Sequence, residues 1–188
     1  MTNGDPAGGG NFADIEILEE GIRLLCENDV EAEKIIAPRY AEIIPRLCRY
    51  IAEIELRNPS HSLVGTDSRR ELIKRHILDS LAPLGIFDRL LKEKSRDTIP
   101  RIADVGSGAG LPGIPLAIAL PETNFTLIER MGRRADFLRH AREVLELSNV
   151  TIIEDELEKF AHNLIVKNRA AGEDFVLVTF RAFRPFEP

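Results

Sequence analysis

Arg101-Ile102-Ala103-Asp104-Val105-Gly106-Ser107-Gly108-Ala109-Gly110-Leu111-Pro112-Gly113 is the stretch that decides the fold. An apolar run ending at Val105 passes directly into a loop with glycine at 106, 108, 110 and 113. Glycine accepts the positive φ of a sharp turn and lets the backbone come within contact distance of a ligand, which side chains forbid. A strand that empties into such a loop and continues as a helix is a docking site for a nucleotide-sized molecule. Gly108 to Gly113 matches the G-x-G-x-x-G spacing, and Glu129 follows sixteen residues past the last glycine, at the end of the next expected strand. A carboxylate in that place can accept hydrogen bonds from both hydroxyls of a ribose.

Two details separate a methyl donor from a dinucleotide. Asp104 sits two residues before the first glycine, where a carboxylate can face the cationic amino-acid end of S-adenosylmethionine and would repel a pyrophosphate. Gly106 also starts the run earlier than a dinucleotide site requires. The ligand loop is therefore taken as Asp104, Gly106, Ser107, Gly108 and Gly110, with Glu129 on the ribose, and S-adenosylmethionine is the expected cofactor.

After Pro100, short apolar runs alternate with longer helical patterns, the mark of βαβ units on a parallel sheet. Strands are expected at Arg101–Val105, Asn124–Ile128, Val150–Glu154 and Asp174–Thr179, and helices at Leu111–Leu120, Arg133–Leu147 and Glu156–Asn168. Right-handed crossovers then bring all the strand carboxyl ends to one edge, where ligands bind. Upstream, apolar residues recur at helical spacing from Phe12 to Arg57, giving two or three helices. A loop over Asn58–Asp67 and a helix over Ser68–Leu81 follow. Met1–Asn11, with three consecutive glycines, has nothing to bury and is expected to be disordered. A chain of 188 residues suits one structural domain, with a helical region over 12–100 packed on an α/β core over 101–188.

Composition is that of an ordinary soluble protein, 44% hydrophobic and 30% charged, without a run long enough to span a bilayer or a signal peptide, so a cytoplasmic location is expected. Cys26 and Cys48 are expected as buried, reduced thiols, and the scattered His61, His76, His140 and His162 offer no metal-ligand spacing. The net charge of −6 hides local asymmetry. Arg130, Arg133, Arg134, Arg139 and Arg142 form one basic cluster; Arg69, Arg70, Lys74 and Arg75 form another. Either is a solvated helix face or, flanking the ligand loop, a surface for phosphates.

His76-Ile77-Leu78-Asp79-Ser80, Asp104 through Leu116, Gly132-Arg133-Arg134 and Arg181-Ala182-Phe183 together resemble the RsmG/GidB family of small-subunit ribosomal RNA methyltransferases, over roughly residues 15 to 188. The resemblance implies a Rossmann-like class I S-adenosylmethionine-dependent methyltransferase fold with a helical N-terminal extension. It implies methyl transfer to N7 of one guanine in the 530 loop of 16S rRNA, with that rRNA or the small ribosomal subunit as partner. Carried over by position, Gly106 and Leu111 contact the methyl donor, Leu157 and Glu158 frame its adenosine end, and Arg181 closes the pocket. Arg133 and Arg134 are candidates for RNA contact, and His76 and Asp79, three apart on one helix face, for support of the pocket.

This chain departs from the family pattern at Ser62-Leu63-Val64, where an Asn-Leu-Thr run is usual, at Glu156 in place of an arginine, and at Phe180 in place of a serine. The family sheet runs 3-2-1-4-5-7-6, and only the first four strands fall within these 188 residues. The fourth would be an apolar edge, so further chain or another molecule is expected to cover it; with the C-terminal part present, a monomer is expected. Guanine N7 has a lone pair and no proton, so no catalytic acid or base is expected, and the cysteine and histidine spacing gives no reason to expect a metal. The competing readings are a non-catalytic RNA- or nucleotide-binding protein and an NAD-dependent dehydrogenase.

Overall fold

The computed structural model describes residues 12–94, 98–168 and 175–181. Its centre is a four-stranded parallel sheet in the order β3-β2-β1-β4, made of β1 (Arg101–Val105), β2 (Asn124–Glu129), β3 (Val150–Glu154) and β4 (Leu177–Phe180). The register pairs Arg101 with Asn124, Phe125 with Val150 and Val105 with Phe180. The inner strands β1 and β2 carry almost continuous burial because helices cover both faces, whereas the outer strands β3 and β4 are only partly buried.

Strand periodicity assigns the two faces. Ile102, Phe125 and Leu127 point into the main core, while Ala103, Val105 and Ile128 point to the opposite side, where Leu157, Phe160 and Phe175 pack on them. Three helices make the crossovers: α7 (Gly113–Ala119), α8 (Gly132–Val144) and α9 (Leu157–Asn168). Each lies within two residues of its expected start. Helix α7 starts at Gly113 because Leu111 and Pro112 are spent on the turn, with the Leu111–Pro112 bond cis. Strand β4 lies one residue later than expected at its carboxyl end, and Asp174 is outside the described residues.

The helical region supplies the layer that seals the main core. It comprises α1 (Phe12–Asn28), α2 (Val30–Ile36), a 3-10 turn at Ala37–Arg39 and α3 (Tyr40–His61). Beyond a loop follow α4 (Arg69–Leu72), a π-helical segment at Ile73–Leu78 and α5 (Asp79–Leu81), then α6 (Leu84–Lys94). Asp29 starts α2 by accepting from the Glu31 and Ala32 amides at 3.0 and 3.2 Å. Helix α3 buries Ile43, Leu47, Tyr50, Ile51 and Ile54, a stripe at three- and four-residue spacing. It runs four residues into the expected loop and stops at Ser62, whose left-handed φ of 51° leaves the Asn58 side chain to receive the Leu63 and Val64 amides, both at 2.9 Å. The proposed disorder of residues 1–11 lies outside the described residues. Cys26 and Cys48 are free and half-buried against the core rather than fully enclosed.

One contact ties this layer to the glycine loop. Tyr50 is fully buried and its hydroxyl donates to Ala109 O at 2.5 Å. Tyr50→Phe is expected to remove that bond at nearly constant volume and to lower the unfolding free energy by about 1–2 kcal/mol, read by urea denaturation.

Candidate functional site

The loop after β1 is shaped by its own backbone. Gly106, Gly108 and Gly110 take positive φ of 67°, 57° and 88°. The Gly106 and Ser107 amides reach across to Ile128 O at 2.8 and 3.2 Å, and Ser107 Oγ donates to Asp104 O at 2.8 Å. Ser107 O in turn receives the Gly110 and Leu111 amides at 2.7 and 3.2 Å. The loop is thus a closed unit, with Ser107 and Leu111 as buried struts.

Two carboxylates clamp it. Glu129 ends β2 and is 4% exposed. Its Oε2 receives the Gly108 amide at 2.9 Å and its Oε1 the Met131 amide at 2.9 Å. Each oxygen keeps further lone-pair capacity toward the cavity it lines. Asp104 shares the strand face of Ile102 and lies under the loop, 1% exposed, where Oδ2 receives the Gly113 amide at 3.1 Å and Oδ1 the Thr179 hydroxyl at 3.2 Å. It therefore joins β1 to both α7 and β4, and is not among the residues lining the cavity.

Burial pushes the Asp104 carboxyl up to about 6 from an ordinary 3.8, against the bonds from Gly113, Thr179 and Ser107 and the Arg181 charge, which favour ionisation. A folded-state pKa above the unfolded one means that Asp104 contributes stability fully below pH 4 and that this contribution is lost as pH rises through 6. The loss is on the order of 3 kcal/mol. Asp104→Asn, which keeps an acceptor for Gly113 and cannot ionise, is expected to flatten the wild-type fall in unfolding free energy between pH 4 and 7, measured by denaturation at fixed temperature.

The cavity, of about 390 Å³, opens where the carboxyl ends of β1, β2 and β3 meet. Gly106, Glu129, Leu157 and Glu158, all anticipated as ligand contacts, line it, together with Arg134, expected on the RNA side. Val105, Ile128, Arg130, Met131, Asp155 and Glu156 complete the wall. Asp155, directly after β3, lines the cavity without having been expected there. A larger cavity of about 490 Å³ beside Pro100 and Thr123 is at the amino ends of the strands, away from the edge where parallel sheets bind ligands.

Beyond β4 stands a second group. Arg181 Nη2 is 2.7 Å from His76 Nδ1, and Arg181 Nη1 is 3.5 Å from Asp79 Oδ2. Arg181, expected to close the cofactor pocket, thus joins the His76–Asp79 pair in one cluster and is not among the residues lining the cavity. The basic surface is less free than the sequence suggests. Arg69 pairs with Glu55 at 2.9 Å, and Arg139 with both Asp136 and Glu154 at 2.7 Å. Arg134 Nη2 donates to Ser62 O at 2.9 Å while its buried Nε has no partner, and Arg133 is exposed at the start of α8. Among the described residues no group of three or more His, Cys, Asp or Glu is placed to hold a metal, and no helix is long and apolar enough to cross a membrane.

A parallel sheet with β1 inside it, a glycine loop on its carboxyl end and an acid closing β2 defines an α/β protein of the Rossmann-like kind. A family model described as GidB, rRNA small subunit methyltransferase G, matches residues 43–188, and the chain belongs to that family. It has the family's class I methyltransferase fold, with a helical N-terminal region.

Three relatives, each named ribosomal RNA small subunit methyltransferase G, give the scale. The protein from Cellvibrio japonicus is 40% identical over 116 residues, 62% of this chain and 51% of the relative. That from Polynucleobacter asymbioticus is 38% identical over 112 residues, 60% of this chain and 49% of the relative. That from Roseiflexus castenholzii is 36% identical over 139 residues, 74% of this chain and 54% of the relative. The chain spans about half the length of the curated relatives it matches.

Proposed function

We propose that this chain binds S-adenosylmethionine in the cavity beside the glycine loop and serves methyl transfer to N7 of a guanine in the 530 loop of 16S rRNA. The observation that carries the reading is where the loop's amides point. A pyrophosphate bound at a strand–loop–helix junction needs free N–H groups at the helix start. Here the Gly108 and Gly113 amides are already taken by Glu129 and Asp104. The cavity wall adds Asp155, Glu156 and Glu158 to Glu129, against Arg130 and Arg134 alone. Such a wall favours a net-cationic ligand over a dinucleotide. A Cβ at Gly108 would meet only Gly106 O, at 3.9 Å, so the space beside the loop is open to a ligand.

In this reading Glu129 holds the ribose, Leu157 and Glu158 the adenosine end, and Gly106, Ser107, Gly108, Gly110, Leu111 and Asp104 fix the loop against which the ligand lies. Bound there, the sulfonium group supplies an electrophilic methyl. The protein's part is orientation. Holding N7 in line with the methyl carbon and sulfur lets the N7 lone pair form the new bond while the old carbon–sulfur pair returns to sulfur, and no proton has to move. Alignment of two reactants is worth up to about 7–11 kcal/mol in favourable systems. Arg133 and Arg134, with Arg181, His76 and Asp79, form the side that meets the RNA, whose phosphates the exposed cations contact. Such activity belongs in the cytoplasm with the ribosome.

The test is incorporation of radiolabelled methyl from S-adenosylmethionine into small-subunit particles that lack the modification, followed by identification of the base. Label at N7 of one guanine of 16S rRNA is expected. Label elsewhere, or none with correctly folded protein, overturns the reading.

A further inference from the structure

Ile73–Leu78 forms a π-helical segment between α4 and α5. Such turns are rare, and those that occur are frequently at functional sites. Here Ile73 and Ile77 stay in the core while His76 is only partly buried and meets Arg181. Ser80 Oγ donates back to His76 O at 2.5 Å and holds the turn.

The pair has a fixed polarity. A guanidinium has only donors, so at 2.7 Å from Arg181 Nη2 the His76 Nδ1 must be the acceptor. The proton of the neutral ring is then on Nε2, for which no protein acceptor stands among the described residues. Arg181 is itself held by Arg75 O at 3.3 Å and by Asp79 Oδ2 at 3.5 Å. The charges facing the ring are Arg181 and Arg75, opposed by Asp79 and Glu71. Burial first, and Arg181 second, hold the imidazole below its ordinary pKa, so it is neutral at pH 7.

Register locates this donor. Val105 pairs with Phe180, so Arg181 leaves β4 where Gly106 leaves β1. The cavity lies on the β2 and β3 side of Gly106 and the His76–Arg181 pair on the β4 side. A methyl presented over the loop from the cavity would meet its acceptor on the β4 side.

We propose that His76 is the residue that recognises the target base, its Nε2–H donating to O6 of guanine. The inference rests on the guanine-N7 reading above. Guanine shows two acceptors on that edge, N7 and O6, and N7 must keep its lone pair for the methyl. Recognition of the edge therefore falls to O6. Adenine places an amino donor there, which opposes the Nε2–H. Arg181 is the positioning residue: by occupying Nδ1 it keeps the imidazole a donor at Nε2.

The experiment compares wild-type protein, His76→Leu and His76→Gln on small-subunit particles reassembled with guanine or 2-aminopurine at the target position. 2-Aminopurine retains N7 and lacks O6. Wild type is expected to be about tenfold slower in kcat/KM on 2-aminopurine than on guanine, the worth of one hydrogen bond to a neutral acceptor. His76→Leu is expected to lose that same factor on guanine and nothing further on 2-aminopurine, with S-adenosylmethionine affinity unchanged. His76→Gln, whose amide reaches the Nε2 position, is expected to restore most of the rate. Equal rates of wild type on both bases overturn the proposal whatever the variants do, and so does an equal loss by His76→Leu on both bases. Wild type that leaves guanine N7 unmethylated removes the underlying reading instead, a separate and recognisable result.

Discussion

Glu129→Ala is expected to weaken S-adenosylmethionine binding by at least 100-fold in calorimetry while the protein remains folded. The carboxylate does two jobs. It receives the Gly108 and Met131 amides, which fixes the far side of the loop, and in the proposed complex it receives the ribose hydroxyls. Hydrogen bonds to a charged acceptor are worth roughly 1.5–3 kcal/mol each, so losing the two to ribose amounts to about 3 kcal/mol or more. Glu129→Gln is nearly as severe, since its amide nitrogen faces one of the two backbone donors. Binding within threefold of wild type for Glu129→Ala would place the ribose elsewhere.

Gly110→Ala is expected to lower stability by about 4 kcal/mol, a large part of the 5–15 kcal/mol that holds a typical domain together. Gly110 has φ +88°, where an L side chain is strained by roughly 1–3 kcal/mol. The added Cβ would also lie 2.5 Å from Ile114 Cδ1 and 3.0 Å from Leu138 Cδ2, both core side chains, and overpacking adds about 1–3 kcal/mol. Gly108→Ala supplies the contrast. Its φ is +57° but its Cβ would meet nothing closer than 3.9 Å, so a stability loss of only about 1–2 kcal/mol is expected, with ligand binding impaired because the methyl stands in open space beside the loop. Denaturant unfolding of both variants, each also tested for ligand binding, separates loop geometry from loop contact.

The core strands were legible because a parallel sheet buried on both faces writes itself as short apolar runs, and the glycine loop because no other residue fits its positive φ. The role of Asp104 was only half visible. Alternation along β1 puts it on the face of Ile102, under the helix that starts at Gly113, but the Thr179 hydroxyl that fixes its other oxygen comes from a strand 75 residues away. The same distance effect hid the neutralisation of the basic clusters, whose partners Glu55 and Glu154 lie on other elements. The π-helical segment left no trace in the periodicity, since Leu72, Ile73 and Ile77 fit an ordinary amphipathic helix equally well. Its consequence, the meeting of His76 with Arg181 across 105 residues, is purely tertiary.

The central claim is that the loop after β1 and the acidic cavity beside it hold a sulfonium nucleoside. Titration calorimetry of the purified protein with S-adenosylmethionine and, separately, with NAD tests it most directly. Saturable binding of one S-adenosylmethionine per chain, with no heat from NAD at the same concentrations, is the result this account predicts; binding of NAD in its place, or of neither, would contradict it.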